Sequence, residues 1–213
     1  MPLAQMQSCL TELYGLDLAH RVDDFLITDR TLAKCLGGAR RERDEELLIL
    51  EADDGAEVSL FLDEALVDRL ERDNPVAALS HNNLADFLVA FEGVSHFTYV
   101  AFKASKDERV SLLELELQAE VDKFIAAAQL LARQYDRLPA GLHDWLFAAP
   151  RLHSDLSHEE VERYERANCY AARYCQRLWP GLRAKEAGDV LRRELREFYR
   201  MPRAQKIGHI EAG

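Results

Sequence analysis

A helix-dominated α+β fold is what this sequence predicts: a small antiparallel sheet packed on a long central helix, with a helical C-terminal part. Three observations carry that prediction. Residues 112–135, LLELELQAEVDKFIAAAQLLARQY, hold an apolar stripe at Leu113, Leu117, Val121, Phe124 and Ala128 and are rich in Leu, Glu, Gln and Ala, all good helix formers. The stretch LLILEADDGAEVSLFLD sets Asp54-Gly55 between two β-prone runs, the chemistry of a tight hairpin. Beyond residue 142 the apolar spacing is helical, and Ser157-x-x-Glu160 supplies a capping box to start it.

Taken in order, Leu10, Leu13 and Leu16 read as a short helix broken near Gly15. Val22 to Thr28 reads as a strand, and Thr31 to Leu36 as a helical turn stopped by Gly37-Gly38. Both arms of the hairpin (47–62) are apolar on both faces, so a covered hairpin is expected. Asp63 can cap a helix from Glu64 to about Arg72, with Leu62 and Val67 as its staple. Asn74-Pro75 then opens a helix over 75–91, in which Leu79, Asn83, Phe87 and Phe91 recur at helical spacing. A polar loop, Glu92-Gly93-Val94-Ser95-His96, is expected to follow, and FTYVAF (97–102) to form a strand.

Residues 110–117 carry two signals. LELEL alternates as a strand would, but Ser111 and Glu114 form a capping box with Val110 and Leu115 as staple, and the helical stripe continues beyond them. A helix is therefore expected there. Pro139-Ala140-Gly141 breaks the chain, and 142–156 reads as irregular apart from a turn near His143–Phe147. A helix from His158 to Trp179, with Leu156 and Val161 as staple, should stop at Pro180-Gly181. A last helix from Ala184 to Tyr199 packs through Leu191, Leu195 and Phe198, and 201–213 is expected to fray. The domain reading is thus an α+β core over 1–138 and a helical part over 142–200 that shares the core, since 139–141 is a turn rather than a linker.

Composition narrows the functional classes. With 213 residues, 48% hydrophobic and 31% charged, the chain resembles ordinary soluble globular proteins. It has no apolar run near the roughly 20 residues a bilayer span needs. The opening MPLAQMQSCLTELYG lacks the pattern of a secretory signal. Four scattered cysteines suit reduced thiols, so the expected compartment is the cytoplasm. Charge is segregated. Between Glu42 and Asp73 stand 13 acidic residues against Arg43, Arg69 and Arg72, while 181–206 holds eight Lys/Arg against four Asp/Glu. A net charge of −11 argues against nucleic-acid binding.

Two places can carry chemistry. The first is Glu92 and His96, with Glu116 and Glu120 of the long helix as neighbours; Lys123 shares the helical flank of those two glutamates. A histidine with convergent carboxylates can hold a divalent metal or serve as an acid–base pair. The same residues also suit a plain helix end, a capping histidine and a solvated face. If His96 stood beyond about 8 Å from both Glu116 and Glu120, the metal reading would fall, because direct ligands lie near 2 Å from the ion. The second place is a stripe of Arg163, Arg166, Tyr170, Arg173 and Arg177 at spacings of 3, 4, 3 and 4, suited to carboxylates or phosphates. A solvated face, docking onto the acidic 42–73 window within one molecule or a dimer, and an external anionic partner all fit that stripe. Val161, Tyr164, Asn168, Ala171, Cys175 and Leu178 make the opposing buried stripe. No phosphate-cradling loop, nucleophile elbow or zinc motif occurs.

On this footing the sequence favours a non-catalytic interaction or regulatory protein without a cofactor, binding a protein partner or a second copy of itself. The alternative is a metal-dependent hydrolase or acid–base enzyme centred on Glu92, His96, Glu116 and Glu120.

Overall fold

The computed structural model describes residues 1–38, 43–52, 55–135, 137–148, 156–184 and 188–213. Helix α1 (Pro2–Tyr14) ends at Gly15, whose left-handed backbone (φ 60°) returns its N–H to the Thr11 carbonyl. A 3₁₀ turn (Val22–Phe25) leads into β1 (Leu26–Ile27), so the expected 22–28 strand is reduced to two residues. Asp29 caps α2 (Arg30–Cys35) by accepting from the N–H groups of Thr31 and Leu32. Strands β2 (Glu45–Ala52) and β3 (Gly55–Leu62) form the expected antiparallel hairpin, in register from Glu45 opposite Leu62 to Ala52 opposite Gly55. Asp54 of the expected turn lies outside the described residues. The sheet order is β1-β3-β2, with β1 parallel to β3, so the sheet is mixed. Asp63 caps α3 (Glu64–Arg72), as its position implies.

The largest departure from expectation is α4 (Leu84–Ala104), a single 21-residue helix running through the expected loop at 92–96 and the expected strand at 97–102. Aromatic and β-branched residues gave FTYVAF its strand character. Yet Phe87, Phe91, Val94, Phe97 and Phe102 are buried at helical spacing, and that burial outweighs the small propensity differences. The expected helix over 75–91 starts only at Leu84. Before it, asparagine side chains bind the backbone locally. Asn74 Oδ1 accepts from the Val76 N–H, Asn83 Oδ1 accepts from the Ser80 N–H, and Asn83 Nδ2 donates to the Ala78 carbonyl. Such bonds compete with helix formation.

The central helix α5 (Leu112–Tyr135) has the expected bounds, and Ser111 Oγ accepts from the Glu114 N–H at 3.3 Å. Helix α5 packs against both α4 and α7 (His158–Arg183), while α4 also packs on β2 and β3. Short α6 (Leu142–Phe147) is held to α7 through Asn168, whose Nδ2 donates to the Phe147 carbonyl. The expected stop at Pro180 falls inside α7, which continues to Arg183. Helix α8 (Gly188–Arg200) follows. The expected frayed tail is instead α9 (Arg203–Glu211), anchored by buried Lys206 and Ile210. The main core cluster draws residues from Leu3 to Ile210. Among the described residues no helix is long and apolar enough to cross a membrane.

Candidate metal centre

Because 92–96 is helical, Glu92 and His96 stand one turn apart on the same face of α4. Glu116 of α5 faces them. One ligand atom from each of Glu92, His96 and Glu116 lies within 4.8 Å of the other two. His96 is 6% exposed and Glu116 7%, while the Glu92 side chain is 25% exposed and forms the open flank.

The imidazole is flanked by carboxylates at both nitrogens. Its Nε2 lies 3.6 Å from Glu116 Oε2, and its Nδ1 lies 3.6 Å from Glu45 Oε1. Both distances exceed hydrogen-bond reach, and His96 Nε2 and Glu45 Oε1 are shielded from solvent without a hydrogen-bond partner. Two ligands about 2.1 Å from a shared ion, at a tetrahedral angle, stand about 3.4 Å apart. The separation between Nε2 and Glu116 is therefore long for a hydrogen bond and suited to two ligands of one ion. Glu45 stands 3.6 Å from the far nitrogen, on the side from which a carboxylate orients a metal-bound histidine once it closes to hydrogen-bond distance.

Gly93 makes this approach of sheet to helix feasible. A Cβ there would stand 2.7 Å from Leu60 Cδ1 and 2.8 Å from Glu45 Cγ. Hydrogen at that position lets β2 and β3 lie close on α4 and brings Glu45 to His96.

Lys123 closes the other side. Its Nζ donates to Glu92 Oε2 at 2.6 Å and to Glu120 Oε1 at 2.9 Å. Burial opposes its charge, but Glu120 and Glu92 outweigh burial and hold the ammonium well above its ordinary range. Glu120 thus binds Lys123 and stands outside the metal triad. Among these residues four carboxylates (Glu45, Glu92, Glu116, Glu120) face one ammonium and one imidazole. Burial also works against a charged His96, yet Glu116 and Glu45 raise it well above its usual value. Even with the imidazole charged, two negative charges are left over. The Glu45 and Glu120 carboxyls are both pushed upward, by burial first and by neighbouring carboxylates next. A divalent cation matches that surplus.

The arginine stripe is divided by the fold. Arg166 and Arg173 are exposed and Tyr170 is half-buried. Arg177 turns inward, donating from Nη1 to the His209 carbonyl at 2.8 Å and so capping α9. Arg163 lies over the Tyr164 ring, with its Nε shielded and unpartnered. Asn168, Ala171, Cys175 and Leu178 of the expected buried stripe are buried, while Val161 and Tyr164 are half-buried. From the acidic window, Arg43 approaches Glu160 of α7 at 3.8 Å.

Sequence reasoning missed Glu45, which reaches the site only through the sheet. It also missed a second polar network. Asp122 accepts hydrogen bonds from Tyr14, Ser95 and Gln118, and Gln118 accepts from Lys206. All five are buried, and burial pushes the Asp122 carboxyl up to about 6. The signal available was Gln118 and Asp122 one turn apart on α5, on a different flank from Glu116, Glu120 and Lys123. No protein-family model, curated protein or solved structure matches the chain.

Proposed function

We propose that this chain is a divalent-metal-dependent enzyme of the hydrolytic or acid–base class, with the ion held by Glu92, His96 and Glu116. The observation that supports this reading most is the buried, unpartnered Nε2 of His96, 3.6 Å from the Glu116 carboxylate. Three protein ligands leave a coordination position open, as in catalytic rather than structural sites. Bound there, the ion would lower the pKa of a coordinated water and stabilise developing negative charge. The chain's own contributions are orientation of His96 by Glu45, placement of Glu92 by Lys123, and exclusion of water by the α4–α5 contact. One imidazole with two carboxylates suits Mn²⁺ or Zn²⁺ better than a soft-metal site would. An interaction role keeps Arg166 and Arg173 as its exposed surface, a smaller patch than the five-residue stripe.

The test is thermal unfolding of chelator-treated protein with a panel of divalent ions. A hundredfold excess of the cognate ion over its dissociation constant raises stability by about 2.7 kcal/mol. At the entropy of unfolding typical for this length, that is a rise of roughly 6 °C. His96→Ala and Glu116→Gln should lose the rise, and metal-dependent cleavage of a nitrophenyl ester should disappear with it. No shift with any ion would overturn the reading.

A further inference from the structure

We infer that the site takes a phosphate group, with Arg43 holding two of its oxygens and the metal a third; this rests on Glu92, His96 and Glu116 being the metal ligands. Arg43 precedes Glu45 by two residues, and the sheet ladder continues past Glu45 through the Asp63 N–H to Asp44 carbonyl bond at 2.9 Å. Across the bend at Asp44, Arg43 lies just ahead of the start of β2, two residues from Glu45, and Glu45 reaches His96. From the other side, Glu160 and Tyr164 lie one turn apart on α7. Arg43 approaches Glu160, and Tyr164 lies within electrostatic reach of Glu116, Glu92, Arg43 and Glu45. Arg43 thus stands beside the cluster.

Two of its nitrogens make no hydrogen bond. Nε and Nη2 of Arg43 are both shielded from solvent without a hydrogen-bond partner, as is Nε of neighbouring Arg163. Glu160 does not fill the fork. At 3.8 Å it is beyond hydrogen-bond range, and its Oε2 already accepts from the Ser157 N–H and hydroxyl at 2.8 Å each. Shielded donors of this kind are rare in native proteins and call for a partner.

The number of oxygens identifies the class. Nε and one Nη of a guanidinium make the parallel pair of bonds that selects two oxygens on a single atom. A carboxylate has both of its oxygens consumed by that fork. A phosphate has a third oxygen left for the ion. Charge leads to the same ordering, because an anion beside four glutamates is repelled until the ion is bound. Phosphate binding should therefore be metal-dependent.

The experiment uses the full chain with Mn²⁺ and inorganic phosphate as probes. Free Mn²⁺ is followed by its electron paramagnetic resonance signal, and phosphate by ³¹P relaxation. Wild type should remove Mn²⁺ from solution and enhance ³¹P relaxation beyond free Mn²⁺, with acetate unable to compete. Arg43→Lys, which keeps the charge but not the fork, should bind Mn²⁺ as wild type does and weaken phosphate by about tenfold or more. Arg43→Gln should weaken it further. Bound Mn²⁺ without enhanced phosphate relaxation would overturn the phosphate inference and leave the metal reading standing, as would wild-type relaxation in both Arg43 variants. An Mn²⁺ signal unaltered by protein would overturn this inference, and the metal reading falls with it when no ion of the thermal panel shifts unfolding.

Discussion

Lys206→Met is the substitution whose consequence can be worked furthest. Lys206 of α9 is fully buried. Its Nζ donates to Gln118 and lies 4.4 Å from the Phe198 ring centre, 5.0 Å from Tyr99 and 5.8 Å from Tyr199. Burial pushes the ammonium down to about 7, against the pull of Glu114 and Asp122. A lysine whose folded pKa is depressed contributes stability that is full above its ordinary value and is lost as pH falls through the folded one. Here the loss runs from about 10.5 down to about 7. Each unit of displacement is worth about 1.4 kcal/mol, so raising the pH from about 7 to 9 should stabilise wild type by roughly 2–3 kcal/mol through this group. Methionine fills similar volume and carries no proton, so the variant lacks that gain. At pH 7 it should match or exceed wild type, since an apolar replacement removes a buried charge.

Urea unfolding of both proteins at pH 7, 8 and 9 measures the difference directly. His96 is present in both, so its titration cancels in the comparison. The advantage of the variant at pH 7 should shrink by roughly 2–3 kcal/mol at pH 9. A difference that stays constant across that range would refute the reasoning. It would mean that the three rings and Gln118 compensate the ammonium for lost water and keep it charged throughout.

Two further outcomes follow from the geometry. Gly93→Ala gains helix propensity worth about 1 kcal/mol, but its methyl meets fully buried Leu60 and the Glu45 stem. Overpacking of that kind costs about 1–3 kcal/mol, so the urea midpoint should fall and metal affinity with it; a raised midpoint would show that the hairpin yields freely. Ser157→Ala removes the capping box of α7, in which Ser157 and Glu160 serve each other's backbone N–H. It should cost about 1 kcal/mol at an unchanged denaturant slope, leaving metal-induced stabilisation as in wild type.

Features legible in the sequence were those with local causes. Asp63 and Ser157 cap helices because a side-chain oxygen can reach an N–H two or three residues on, whatever the rest of the chain does. Helix α5 could be bounded because caps, stripe and propensity all agree. The pairing of Glu92, His96 and Glu116 was also foreseeable as a set of residue types, though 92–96 was expected to be a loop. Glu120, also expected beside them, shares Lys123 with Glu92.

By itself, then, the sequence determined the fold class, the hairpin and the long helix, and it offered Glu92, His96 and Glu116 as residue types suited to an ion. Tertiary structure decided the rest. Burial against α5 and the sheet turned both the expected loop at 92–96 and the expected strand FTYVAF into helix, and the first of these changes placed Glu92 one turn from His96. Packing of the hairpin on Gly93 brought in Glu45 from a strand 51 positions before His96 in sequence. The tail became α9 because Lys206 and Ile210 found a buried site that no local pattern describes. Propensities differ by less than about 1 kcal/mol per residue, whereas burying one large side chain contributes about 1.5–3 kcal/mol. Where the two disagree, the long-range contact prevails.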